Sequence, residues 1–162
     1  MTAETKSSDP PCVALDSNVL IAICAKESDK YAVAREELAR YATEGYILYA
    51  PGVIIAEALF VLCKKLKDEI LSAADHAAAV ADLITFLEAI EPPPNGDRSL
   101  VARAEQIRAG YGCSRSADGI FIALAEALAA KGYAELITFD EGFQNQAKKH
   151  APSVNVRLLS PT

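Results

Sequence analysis

The chain is poor in the side-chain patterns that build disulfides and zinc sites. Its four cysteines form no CxxC pair, and neither of its two histidines lies near a cysteine pair. This arrangement argues against a zinc site and favours free cysteines in a reducing compartment over disulfides. We therefore expect these residues to serve as small core side chains: Cys12, Cys24, Cys63 and Cys113.

Long apolar runs and an excess of positive charge are also missing. No run reaches the roughly 18 residues of a membrane span, and the opening segment MTAETKSSDPP has no apolar signal-peptide core. We expect a cytoplasmic protein that makes no membrane contact. Sixteen Lys and Arg residues against 22 Asp and Glu give a formal net charge of −6. This charge argues against a simple electrostatic nucleic-acid binder, but not against an enzyme whose metal ions reverse the local field.

Strand and helix patterns alternate along the 162 residues, a length that suits one domain. We predict a disordered lead over residues 1–11 and a single domain over residues 12–162. Strands are predicted at 12–16, 46–50, ELITF and VNVRLL. Helices are predicted at 17–26, 29–44 with Ser28 as its cap, 52–66, 70–90, 98–110, 116–131 and EGFQNQAKKH. The alternation predicts an α/β sandwich around a parallel sheet.

Two of the predicted helices have unusual apolar patterns. The segment PGVIIAEALFVLC is apolar almost all round, which predicts a helix buried on every side. In the helix over 70–90, small and apolar residues recur at helical spacing, which allows another helix to approach closely, within the fold or across a dimer. These residues are Ile70, Ala74, Ala77, Ala81, Ile84 and Leu87.

Four carboxylates interrupt apolar stretches. Asp16 and Asp140 each end a predicted strand, Asp118 begins a helix, and Glu57 lies about one turn into the helix after a strand. In a parallel α/β sheet, the carboxyl ends of strands and the amino ends of the following helices share one edge, so all four acids should meet in one cleft. Acids in apolar surroundings are costly unless compensated, and no run of Lys or Arg lies beside them. A divalent metal ion would compensate them.

Each acid also has an ordinary structural explanation. Asp16 and Asp140 are placed to cap the helices that follow them, and Asp118 is placed as a first-turn acid favoured by the helix dipole. Glu57 is a poor cap, but it has a possible ion-pair partner in Lys64. The spacing alone leaves these alternatives open.

Two basic residues are candidate substrate contacts. Arg115 stands three residues before Asp118, and Lys64 belongs to a cluster past the apolar helix. Both are candidates to hold phosphates at the rim of the cleft. The cluster of Lys64, Lys65 and Lys67 equally suits a helix C-terminus, where positive charge is favourable.

Four motifs occur in a familiar order: LDSNVLI, APGVIIAEALFVL, SADGIFIALAEAL and LITFDEGF. With these motifs the chain resembles a PIN-domain nuclease over about residues 12–159, and most closely the VapC-type toxins of toxin–antitoxin pairs. The resemblance implies a PIN-like three-layer α/β/α sandwich with a central parallel sheet of four to five strands.

The resemblance also implies a function, that of a metal-dependent endoribonuclease. The four acids would hold one or two Mg²⁺ or Mn²⁺ ions, and Asn18 and Thr138 would orient carboxylates or water around them. Oxygen-rich acidic sites suit such hard ions, which activate water and stabilise the leaving oxygen. The implied partners are an RNA substrate, an antitoxin protein and a second copy of the chain in a homodimer.

The toxin interpretation has several alternatives. The chain is longer than a compact toxin, with the excess in its first residues and in the helical pair joined through EPPPNGD. A stand-alone PIN nuclease in RNA processing and a non-catalytic PIN scaffold therefore remain alternatives. A haloacid-dehalogenase-like phosphatase is disfavoured because Asn18 stands where its second Asp would be. A receiver domain is disfavoured because no suitable Lys lies near the last acids.

Overall fold

The computed structural model describes residues 9–113 and 117–162. Four strands are present in this part of the chain: β1 (Cys12–Leu15), β2 (Ile47–Tyr49), β3 (Ala134–Thr138) and β4 (Asn155–Leu158). The helices are α1 (Ser17–Cys24), α2 (Tyr31–Thr43), α3 (Val53–Lys67), α4 (Ala73–Glu88), α5 (Val101–Gly110), α6 (Asp118–Ala129) and α7 (Glu141–His150). A short 3₁₀ helix, Asp97–Leu100, leads into α5.

The strands form one parallel sheet in the order β2-β1-β3-β4. Strand β3 is buried at all five positions, and β1 is buried at its last three. Such continuous apolar strands are typical of a parallel sheet whose two faces are both covered. Beyond β2, Glu91 of the EPPPNGD segment makes a single parallel bridge with Tyr49. The predicted parallel sheet of four to five strands is confirmed with four strands.

Helices cover both faces of the sheet and give the predicted α/β/α sandwich. Helix α1 packs with α2, α3 and α4, whereas α6 packs on β1 and β3 and against α5, and α7 packs on β3 and β4. The core side chains are branched aliphatics and a few aromatics, including Phe121 of α6 and Phe143 of α7, whose rings meet edge to face. Thus the apolar runs that predicted the strands and α6 form the interior.

The prediction that α3 is buried on every side was wrong. Ile54, Ala58 and Leu62 face the core, but Ile55 and Leu59 are 45% and 44% exposed and Phe60 is 69% exposed. The helix therefore has one face in the fold and one apolar face open to solvent. A sequence pattern reports that a face is apolar, but not whether this chain or another one covers it.

Helix α4 shows the same feature. The small and apolar residues picked out by their helical spacing point mainly to solvent, with Ile84 exposed and only Leu87 half-buried on that list. The core contacts of α4 are instead made by Ala79 and Leu83. Helix α4 therefore packs on the rest of the fold with a different face from the one predicted. Of the two predicted uses of the exposed stripe, only contact across a dimer is left.

Smaller differences concern helix ends and cysteines. Helix α2 begins after Lys30, with no side-chain cap, so Ser28 does not cap it. All four cysteines are free, as expected, but only Cys24 is buried, while Cys63 and Cys113 are exposed. None of the helices in the described part of the chain has the length and apolar character that a membrane crossing requires. Of the predicted lead, residues 1–8 lie outside the described residues, and the carbonyl of Pro11 accepts a hydrogen bond from Ile47.

Candidate active site

Asp16 lies in the crossing between the central strand β1 and helix α1. It is 5% exposed, and although it occupies the N-cap position of α1 its side chain makes no capping hydrogen bond. The capping explanation for this carboxylate is therefore not supported by its contacts. The oxygens are instead directed to Thr138 at the end of the neighbouring strand, and at longer range to Ser17.

The hydroxyl of Thr138 organises this edge of the sheet. It donates to Asp16 Oδ2 at 2.7 Å and accepts from Asn18 Nδ2 at 3.1 Å and from the Asp140 amide at 2.9 Å. A hydroxyl has one proton and two lone pairs, so these three contacts use its full capacity and fix its direction. Thr138 can only donate to Asp16, and this contact favours the ionised carboxylate.

Asn18 completes the link between β1 and β3. Its side-chain oxygen accepts a hydrogen bond from the backbone N–H of Phe139, while its amide nitrogen contacts Thr138. The two predicted supporting residues, Asn18 and Thr138, therefore hold each other and Asp16 in one network. Buried polar groups that are fully bonded in this way are rigid.

Two of the other acids act on the electrostatics of Asp16. Burial first, and then the negative charges of Asp118 and Glu57, raise the pKa of Asp16 to about 7, while the Thr138 hydrogen bond opposes the shift. Like charges disfavour ionisation, and a cation placed among them would restore it. Asp16 therefore sits in an environment of negative charge that no described basic residue offsets.

Glu57 lies one turn into α3 and is half-buried. Its Oε2 atom is buried and has no hydrogen-bond partner among the described residues. The suggested ion pair with Lys64 is absent, because Lys64 pairs with Asp68 at 2.7 Å. An unpaired buried carboxylate oxygen is costly, which points to a missing ligand for this atom.

The other two acids are placed differently. Asp118 is the first residue of α6 and is half-buried, with its charge felt by Asp16. Asp140 is exposed and caps α7, since its Oδ1 accepts from the amides of Gly142 and Phe143 at 2.8 and 3.3 Å. The capping explanation for Asp140 is therefore confirmed, but its second oxygen makes no hydrogen bond to the described residues.

The donor set fits a hard divalent cation in its chemistry. It consists of carboxylate oxygens, one of which is buried without a partner, and such oxygens are the ligands that Mg²⁺ and Mn²⁺ prefer. Over residues 9–113 and 117–162, no three His, Cys, Asp or Glu side chains are close enough to hold one ion as they stand. Asp16 is affected by the charges of Glu57 and Asp118, but the described acids are not gathered around a single centre.

Of the two predicted basic residues, the structure describes only Lys64. Lys64 lies seven residues beyond Glu57 along α3, and its ammonium group forms an ion pair with Asp68. Arg115 lies outside the described residues. Glu126, which follows Asp118 on α6, is a structural acid that receives two hydrogen bonds from Arg103.

One positioning residue was missed from the sequence. Asp97, in the segment read as a linker, accepts a hydrogen bond from the amide of Gly52 at 3.0 Å. Gly52 precedes α3, and a Cβ there would lie 2.7 Å from an Asp97 carboxylate oxygen. The contact thus fixes the start of the helix that carries Glu57. An acid after Asn-Gly signals a turn, but nothing in the sequence names its partner.

Comparisons with known proteins agree with this geometry. Residues 13–149 match the model of the PIN domain family, and the chain belongs to that family. A similar solved structure is the crystal structure of VapBC2 from Rickettsia felis bound to a DNA fragment from their promoter. The match has a TM-score of 0.59 and 16% identity, and covers 92% of this chain and 99% of that chain. At this identity the match shows the fold. Comparison with curated proteins returned no match.

Proposed function

We propose that this PIN-domain protein is a metal-dependent endoribonuclease with a site formed by Asp16, Glu57, Asp118 and Asp140. The observation that carries the proposal is the buried Asp16 carboxylate under the charge of Asp118 and Glu57, together with a buried oxygen of Glu57 that has no hydrogen-bond partner among the described residues. A buried carboxylate with two further acids acting on it is expensive to maintain for structure alone. Their cost has a reason if the cleft binds cations.

Each residue has a role in this proposal. Asp16 and Glu57 would hold the metal ion, Asp118 would add a ligand from the first turn of α6, and Asp140 would offer its carboxylate oxygen that makes no capping bond. A bound Mg²⁺ or Mn²⁺ supplies the Lewis acidity that activates water and stabilises the leaving oxygen of a phosphodiester. The Thr138 hydrogen bond favours the ionised form of Asp16 and orients its carboxylate, and Asn18 fixes Thr138.

The biological setting that we propose is a toxin–antitoxin pair. Support comes from the sequence resemblance to VapC-type toxins and from the fold shared with a structure of VapBC2. In this setting the protein acts in the cytoplasm, and an antitoxin protein restrains it. A stand-alone PIN nuclease of RNA processing and a non-catalytic PIN scaffold are the alternatives.

We further propose a homodimer. The support is the exposed apolar faces of α3 and α4, two helices that pack against each other. Apolar side chains of this size are seldom exposed together on a monomer.

Contacts of Lys64 and Arg115 with RNA phosphates stay predictions.

The proposal is tested by RNA cleavage with purified protein, with Mg²⁺, with Mn²⁺ and with EDTA. We expect cutting that needs metal and that Asp118→Asn and Glu57→Gln abolish. The matched control is Asp68→Asn, which makes the same chemical change at an exposed acid paired with Lys64. Full activity in EDTA or in both site variants, with all proteins folded by circular dichroism, would contradict the proposal. No cutting by the wild type would favour the scaffold.

A further inference from the structure

A cavity of about 260 Å³ lies between the start of α3, helix α5 and the start of α6. Its apolar part is formed by Val53, Val101 and Ile120. Val53 lies one turn before Glu57 on α3, and Ile120 lies two residues after Asp118 on α6. The cavity therefore adjoins the two elements that carry half of the candidate site.

Helices α5 and α6 approach closely beside the cavity, at the first turn of α6. A Cβ on Gly119 would lie 2.8 Å from the carbonyl oxygen of Ala104 and 3.6 Å from Cβ of Arg108. Only glycine permits this approach, and the approach brings the base of the Arg108 side chain beside the residue that follows Asp118. The helix crossing thus places Arg108 on the wall of the cavity, beside the first turn of α6.

The two arginines of α5 are used differently. Arg103 makes an ion pair with Glu126 and donates to the carbonyl of His150, so it ties α5 to α6 and α7. Arg108 is exposed, and its guanidinium makes no ion pair or hydrogen bond with the described residues. Glu105, the other charged residue of the cavity, also has no such partner. Among the described residues that line the cavity, Arg108 is the one that carries a positive charge.

A nuclease with a net charge of −6 and an acidic cleft needs a local cation to receive a polyanion. We propose that the cavity binds one nucleotide of the RNA strand adjacent to the cleaved phosphodiester. The ribose or base packs on Val53, Val101 and Ile120, and the guanidinium of Arg108 binds a phosphate oxygen. The volume is just below the roughly 300 Å³ of small-molecule pockets, which suits a single unit of a longer chain. The proposal rests on the proposed nuclease function.

The test compares Arg108→Ala with Arg35→Ala, an exposed arginine on α2 that lines a separate cavity. Binding of a short labelled single-stranded RNA is followed by fluorescence anisotropy in EDTA, over a series of salt concentrations. We expect Arg108→Ala to weaken binding about tenfold and to reduce the salt slope by about 0.7, the value for one phosphate contact. Arg35→Ala should match the wild type. In metal-dependent cleavage, Arg108→Ala should raise KM with little change in kcat.

Two further variants separate charge and shape from folding. Glu105→Gln removes from the cavity wall a negative charge that would repel RNA phosphates, so RNA binding should be unchanged or tighter. Val101→Ser, at a side chain that is 59% exposed, should weaken binding without unfolding the protein. Equal binding by Arg108→Ala and Arg35→Ala would overturn the proposal, as would a Glu105→Gln variant as weak as Arg108→Ala.

The outcomes also distinguish this site from the proposed catalysis. A wild type that binds RNA through Arg108 but never cuts it would retain the nucleotide site and remove the nuclease. A wild type that cuts RNA with the same KM as Arg108→Ala would retain the nuclease and remove the nucleotide site.

Discussion

Replacing Asp16 by Asn should make the metal-free protein more stable at neutral and alkaline pH. The pKa of Asp16 rises from its ordinary value of 3.8 to about 7 on folding, mainly because of burial. Between these two pH values the folded chain keeps a proton that the unfolded chain has lost. Stability must therefore fall as pH rises through this window, by up to about 1.4 kcal/mol per pH unit.

The magnitude follows from the same shift. Above about pH 7, the folded state holds an ionised Asp16 at a cost of about 4 kcal/mol relative to the unfolded chain. Asp16→Asn removes the charge and keeps an oxygen that can accept from Thr138, but its amide N–H₂ lacks an evident partner, at a cost of about 1–3 kcal/mol. We expect a net gain of about 2 kcal/mol, or a Tm higher by about 4–8 °C.

The assay is thermal unfolding in EDTA from about pH 5 to about pH 9, with Asp68→Asn as a control at an exposed acid. The stability of Asp16→Asn relative to the wild type should increase as pH rises. The stability of Asp68→Asn should change with pH in the same way as that of the wild type. Added Mg²⁺ or Mn²⁺ should stabilise the wild type and not Asp16→Asn. A wild type that becomes more stable across this window, or a pH-independent difference, would refute the electrostatic reasoning.

Three other perturbations have definite expected results. Thr138→Val should lower the rate of RNA cleavage about 10- to 100-fold and move its pH optimum upward, because Asp16 loses the hydrogen bond that favours its ionised form. Thr138→Ser keeps this hydroxyl and should retain activity. The measurement is the initial rate against pH, and an unshifted optimum for Thr138→Val would contradict the prediction. Phe60→Lys should convert a dimer to a monomer in sedimentation velocity. Tyr111→Lys, at a 41% exposed side chain just after the end of α5, should leave the dimer intact. If both variants keep the wild-type state, the α3 face is not the interface. Tyr41→Phe should lower the free energy of unfolding, measured in urea, by about 1–3 kcal/mol. The buried Glu135 loses its hydrogen bond from the Tyr41 hydroxyl and keeps weaker contacts with Tyr133 and Arg40. An unchanged free energy of unfolding would contradict the importance of this network.

The fold was accessible from the sequence because its elements follow simple periodicities. Continuous apolar runs such as ELITF mark strands with both faces covered, and the strand–helix alternation leads to a parallel sheet. The error at α3 has a clear origin. Phe60 is as apolar as Leu62, and only the tertiary arrangement places one in solvent and the other in the core.

The candidate site was accessible in part. The shared edge of strand ends and helix starts predicted that Asp16, Glu57 and Asp118 would be neighbours, and the electrostatics of Asp16 agree. The sequence did not decide between capping and ligation at Asp140, because both use the same position. It also gave no sign of Arg108, whose place depends on how closely α5 crosses α6 at Gly119.

The most direct test of the account is Mn²⁺ binding by the wild type, Glu57→Gln and Asp68→Asn, measured by electron paramagnetic resonance. The central claim is that the acids of this cleft hold a divalent ion, and Glu57 contributes the unpartnered oxygen. We predict saturable binding by the wild type and by Asp68→Asn, and at least about tenfold weaker binding by Glu57→Gln. Equal binding by all three proteins, or none by the wild type, would contradict the claim.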